Sequence, residues 1–108
     1  MRDLERKLLH GNLETLVLRL VAEKDCYGYQ IRRELAERSH HYFQVAFGRL
    51  YPLLRDLQRR GLVTSRWENV GKLHERKLYT ITPKGRAELS ERTRKWQQFT
   101  EATELILA

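Results

Sequence analysis

Residues 48–83 read GRLYPLLRDLQRRGLVTSRWENVGKLHERKLYTITP, and within this stretch the spacing of apolar residues changes once. Leu50, Leu53, Leu54 and Leu57 recur at helical intervals, and Gly61 follows where a helix commonly turns off through a left-handed residue. Pro52 is compatible with that helix if it begins near Gly48 or Arg49, because first-turn N–H groups have no intrahelical acceptor. Beyond Gly61 the pattern becomes one of β-formers, in Leu62 to Glu68 and in Arg76 to Ile81. The polar, glycine-containing segment Asn69 to Glu75 between them predicts a β-hairpin. Thr82 before Pro83 is an N-cap with proline at the first helical position, opening a further helix.

Outward from this stretch, Leu13, Leu16, Val17, Leu20 and Val21 form one apolar face of a helix from about Asn12, its N-cap, to about Glu23. Lys24 to Gly28 reads as a short turn. Tyr27, Ile31 and Leu35 then mark a second helix ending near Arg38, and the polar Ser39 to Gln44 reads as a connection. In the helix after Pro83, Leu89, Trp96 and Thr103 are seven apart, as are Phe99 and Ile106. That narrow seam suits pairing with another helix better than packing into a broad core. The expected fold is mainly α with a small β-hairpin: a winged helix-turn-helix over residues 1–82 and a C-terminal dimerisation helix over residues 83–108.

The chain has 108 residues, 21 of them Lys or Arg against 14 Asp or Glu, a net charge of +7. That length suits one small domain and leaves little room for an enzyme with its own substrate cleft. Residues 1–31 carry five basic and five acidic groups, residues 32–77 eleven and five, and residues 78–108 five and four. The excess is therefore central, where a surface that tracks phosphates needs it. The charged start, Met1 to Asn12, has no apolar run typical of a signal peptide, and no stretch approaches the length of a membrane span. A single cysteine, Cys26, leaves no disulfide framework and fits a reducing cytoplasm.

Helix, helix, helix and hairpin is the order of a winged helix-turn-helix, whose third helix enters the DNA major groove. On a wheel at about 100° per residue with Leu50 at zero, the leucines cluster while Tyr51, Arg55 and Arg59 fall at about 100°, 140° and 180°. One side is core, and the other offers groups that bond guanine edges or phosphates. Other tempting residues have plainer readings. His40 and His41 are adjacent rather than helically spaced, which suits a solvated loop better than a metal. Cys26 sits beside Asp25, which opposes thiolate formation. No nucleophile, paired-carboxylate or phosphate-loop signature occurs, so neither catalysis nor a cofactor is expected.

The strings YGYQIRRELAERS (27–39), GRLYPLLRDLQRRGLV (48–63), RWENVGKLHERKLYTITPKGR (66–86) and RKWQQF (94–99) resemble the PadR family of bacterial transcriptional regulators. The resemblance runs in order from Gly11 to about Phe99. It implies a homodimer held mainly by the C-terminal helix, binding a palindromic operator in double-stranded DNA and usually repressing transcription. By position, Arg49, Tyr51, Arg55 and Arg59 would face DNA, Tyr29 and Gln30 would lie near its backbone, and Lys72, His74, Arg76 and Lys77 would form the wing contacts. In some relatives a tryptophan at the position of Trp96 stacks planar aromatic ligands between subunits. Trp96 and its neighbour Phe99 thus have two readings, ligand platform or dimer core, the latter with Leu89, Thr103 and Ile106. The chain departs from the pattern in Ala46 and Phe47 before Gly48 and in Arg49, which predicts a weaker cap and an additional cation at the head of the third helix. A competing reading is a winged-helix interaction module docking an acidic protein, which a shallower salt dependence would distinguish from DNA binding.

Overall fold

The computed structural model describes residues 3–9, 11–69, 71 and 75–108. Its elements are α1 (Asp3–Leu9), α2 (Leu13–Glu23), β1 (Cys26–Tyr27), α3 (Gly28–Arg38), α4 (Phe47–Arg59), β2 (Val63–Asn69), β3 (Glu75–Ile81) and α5 (Pro83–Leu107). The four helices and the hairpin expected from the sequence are present, their ends displaced by a residue or so. Two elements are additional. α1 precedes the first expected helix, and Cys26–Tyr27, expected as part of a turn, forms a short strand. β1 pairs antiparallel with β3, so the sheet has three strands in the order β1-β3-β2. Strand β1 has no alternation of its own to detect, since its pairing depends on residues some fifty positions away.

The core is the common interior of α2, α3, α4 and the sheet. Leu50, Leu54 and Leu57 of α4 are completely buried, together with Val17, Leu18 and Ile31. The helix starts one residue earlier than Gly48, at Phe47, capped by Ala46 with no side-chain hydrogen bond. Pro52 therefore lies inside α4, in its second turn, and not in the first turn as expected. It cannot donate to the Gly48 carbonyl. Burying each leucine contributes about 1.5–3 kcal/mol, and together they outweigh the roughly 3 kcal/mol that an interior proline costs.

The end of α4 is closed by the two hydrogen bonds of a Schellman turn, from Leu62 N to Leu57 O at 2.9 Å and from Gly61 N to Gln58 O at 3.0 Å. Gly61 supplies the left-handed backbone, at φ 76°. At the start of α2, Asn12 occupies the expected cap position without capping through its side chain. Its Nδ2 instead donates to the Leu8 carbonyl at 2.8 Å, tying α1 to α2.

α5 begins where the sequence placed it. Thr82 Oγ1 accepts from Gly85 N at 2.9 Å and donates to the Gly61 carbonyl at 2.7 Å, so one hydroxyl caps α5 and fastens it to the end of α4. Glu14 of α2 ties the same junction together, accepting from Arg60 at 3.0 Å and from Arg92 of α5 at 2.6 Å. Leu89 is buried in the core, whereas Trp96, Phe99 and Ile106 further along α5 are exposed. The helix therefore projects from the head, and the chain measures 56 × 31 × 20 Å with a radius of gyration of 15.1 Å. A compact chain of this length would have a radius of about 13 Å. Among the described residues no helix is long and apolar enough to cross a membrane.

A methyl group at Gly85 would stand 2.0 Å from the Leu62 carbonyl oxygen and 2.7 Å from Ile81 Cγ1. Backbone cannot yield as a side-chain tip can, so Gly85→Ala is expected to destabilise the fold by about 1–3 kcal/mol. A lowered urea midpoint checks this; an unchanged midpoint would mean that the α4–α5 junction opens without cost.

Candidate nucleic-acid interface

Burial of the leucine stripe leaves the opposite side of α4 facing outward, with Tyr51, Arg55 and Arg59 exposed. Beside it, β1 ends at Tyr27 and the chain turns into α3, so β3 loses its neighbour on that side beyond Leu78. A groove of about 640 Å³ opens here, lined by Tyr27, Gly28, Tyr29, Tyr51, Arg55, Trp67, Arg76, Lys77 and Tyr79. It joins the start of α3, the outer face of α4 and the wing formed by β2 and β3. Five residues expected to face DNA are thus brought together: Tyr29, Tyr51, Arg55, Arg76 and Lys77.

The others are placed differently. Arg49 is half-buried and Arg59 exposed, and neither lines the groove. Arg59 is paired with Asp56 at 2.7 Å, an interaction that holds the Asp56 carboxyl below its usual range. Gln30 uses its side-chain carbonyl to accept from Tyr27 N at 2.9 Å, which makes it part of the start of α3. Lys72 and His74 lie outside the described residues. Tyr27, Gly28, Trp67 and Tyr79 were not anticipated in the groove. Trp67 enters it through the strand register, which pairs it with Lys77 and sets the Lys77 ammonium 5.2 Å from its ring centroid.

The cations are not equivalent. Arg38 is bound to Glu23, Arg60 to Glu14 and Asp56, and Arg66 to Glu68. Arg55, Arg76 and Lys77 have no carboxylate within ion-pair reach among the described residues. Arg76 instead lies 4.7 Å above the Tyr29 ring, a cation–π contact that leaves guanidinium N–H groups available to an acceptor. Three cations without carboxylate partners therefore stand together where the groove opens. Burial raises the pKa of Tyr79 at the groove floor, and the hydrogen bond to Glu68 raises that of Tyr27, so both phenols remain protonated donors at neutral pH.

A second exposed surface lies on α5. Trp96 and Phe99 stack with centroids 6.0 Å apart, and at 48% and 63% exposure they are unusually open for residues of their size. With Gly11, Asn12, Thr15, Glu88, Glu91, Arg92 and Lys95 they line a groove of about 540 Å³. Thr103 is half-buried and donates to the Phe99 carbonyl at 2.7 Å. Elsewhere, Cys26 is buried and its thiol pKa raised by that burial, in keeping with an inert residue. His40 and His41 are exposed and take left-handed backbone at φ 53° and 65°, where α3 gives way to the loop.

A three-helix head with a β-hairpin beside its outward-facing third helix defines a winged-helix protein. Residues 17–91 match the transcriptional regulator PadR-like family, and the chain belongs to that family, whose members are regulators and not enzymes. It is 34% identical over 91 residues to the transcriptional regulator Rv3488 of Mycobacterium tuberculosis, covering 84% of this chain and 78% of that one. A solved PadR family transcriptional regulator from Eggerthella lenta superposes with a TM-score of 0.84 at 32% identity, covering 94% of this chain and 86% of that one. Bacillus subtilis PadR, solved in complex with operator DNA, superposes with a TM-score of 0.70 at 28% identity. That match covers 75% of this chain and 46% of the Bacillus subtilis one, so the present chain spans under half of that larger protein.

Gly28 determines how the groove closes. A Cβ there would meet Tyr51 Cε1 at 2.8 Å and Tyr51 Oη at 2.9 Å. The obstacle is the tip of a side chain, so Gly28→Ala is expected to shift the urea midpoint by less than about 1 kcal/mol while displacing the Tyr51 ring. Altered ring-proton shifts of Tyr51 at near-parental stability would check both halves of that expectation.

Proposed function

We propose that this chain is a homodimeric, sequence-specific DNA-binding regulator acting as a repressor from the cytoplasm. The observation that carries the reading is the convergence of Arg55, Arg76 and Lys77, without carboxylate partners among the described residues, on one groove with Tyr29 and Tyr51. α4 would enter the major groove with Tyr51 and Arg55 toward base edges, while Arg76, Lys77 and Tyr29 hold the sugar-phosphate backbone. Arg49 and Arg59 would flank this contact, and Lys72 and His74 would extend it along the wing. The operator complex of the Bacillus subtilis relative supports DNA as the partner.

Dimerisation would use the projecting part of α5, with residues 1–82 as the DNA-binding unit and residues 83–108 as the helix that joins two of them. Trp96, Phe99 and Ile106 present apolar area that is unfavourable in water and would be covered by the same helix of a second copy. Leu89 anchors the helix to its own head, so a change in α5 packing would rotate the head with it. Two recognition helices engage successive major grooves only at about 34 Å or a multiple of it, so a small rotation would cost contacts in both half-sites. A planar aromatic molecule stacked on Trp96 and Phe99 would act in this way as an inducer.

Arg55→Ala is expected to weaken binding to an operator selected from random DNA by about 1–3 kcal/mol, roughly five- to 150-fold, with an unchanged urea midpoint. Parental affinity in that variant would sink the assignment of α4 as the reading helix. Phe99→Glu is expected to shift sedimentation from dimer to folded monomer; a persistent dimer would place the subunit contact elsewhere.

A further inference from the structure

Glu68 and Arg76 stand directly opposite each other in the β2–β3 register. A carboxylate and a guanidinium so placed ordinarily pair. Here both Glu68 oxygens are engaged elsewhere: Tyr27 Oη donates to Oε2 at 2.8 Å, and Arg66 Nε donates to Oε1 at 3.1 Å. Arg66 also reaches Asp25 at 3.9 Å, so its charge is balanced by two carboxylates. Arg76 turns instead to the Tyr29 ring, which stacks against Tyr27 at 5.9 Å with the planes 8° apart. Tyr27 thus holds the acid with its hydroxyl and supports the platform of the cation with its ring.

We propose that Tyr27 and Arg66 are positioning residues for DNA binding, which hold the Glu68 carboxylate away from Arg76 so that the Arg76 guanidinium remains available to a backbone phosphate. This rests on the groove being the DNA interface. A Glu68–Arg76 pair would neutralise one of its three cations and set a carboxylate beside the phosphate path. Because each phosphate neutralised by the protein releases counterions, the loss of Arg76 would appear as a shallower dependence of affinity on salt. Tyr27 on β1 and Glu68 on the wing are given no base contact in this reading, and the arrangement explains both.

The test measures fluorescence anisotropy of a labelled duplex of about 30 base pairs of random sequence, titrated with parent, Tyr27→Phe, Glu68→Gln and the double variant from about 50 to 200 mM KCl. Tyr27→Phe retains the ring and the backbone hydrogen bond to Gln30. It is expected to weaken binding several-fold and to reduce the log–log salt slope by about one for each protomer engaged. Adding Glu68→Gln, which removes the competing charge, is expected to restore both. An unchanged slope in Tyr27→Phe overturns the proposal, as does a loss that Glu68→Gln fails to restore, since a merely structural role for the hydroxyl would not be rescued by neutralising its acceptor. Parent protein that binds the duplex without salt dependence overturns the DNA reading itself, and with it this one.

Discussion

Two residues of β-strand hold the functional surface together. Cys26 and Tyr27 pair with Tyr79 and Leu78, which fixes the start of α3 against the central strand of the sheet. Because the strand then ends, Tyr29 projects beside Arg76 and Lys77 where β3 has an open flank. A longer β1 would cover that flank, and without β1 the start of α3 would lose its hydrogen-bonded tie to the central strand. The groove is a consequence of where this short pairing stops.

Electrostatics adds a selection among the cations of the central stretch. Its excess of basic residues does not become a uniform positive face, because several arginines are committed to bridging helices. Glu14 accepts from Arg60 and Arg92, which joins α2, α4 and α5, and Asp56 binds Arg59 and Arg60 along α4. Partly exposed pairs of this kind are individually worth about 0–1 kcal/mol, so their main effect is on geometry. They hold the end of the third helix against the base of α5. Among the cations left without a carboxylate in the described residues, Arg55, Arg76 and Lys77 line the groove.

α5 connects the two surfaces. Its first turns are head, with Gly85 against the Leu62 carbonyl and Leu89 in the core; its later turns carry aromatic residues into solvent. A helix anchored in the head at one end and carrying exposed aromatic residues at the other would couple the orientation of the head to whatever packs on those residues.

The helices, the hairpin, the Gly61 turn and the Thr82–Pro83 start of α5 were legible in the sequence because each rests on local chemistry: apolar periodicity, a left-handed position, a cap. The outward direction of Tyr51 and Arg55 followed from the same periodicity. The local pattern could not show α1, where Leu4 and Leu8 are exposed and Leu9 is buried, or β1, which exists through its partner strand. What separates Arg55 from Arg59, two arginines on one helix face, is the i,i+3 pairing of the second with Asp56 at 2.7 Å within α4. Gln30 and Pro52 were likewise decided by hydrogen bonding at helix starts that residue spacing does not specify. The sequence by itself determined the four longer helices, the hairpin and the faces they bury. Tertiary structure alone decided which charges pair across elements, as Arg60 and Arg92 do with Glu14, because such pairing depends on distances of a few ångströms between residues far apart in the chain.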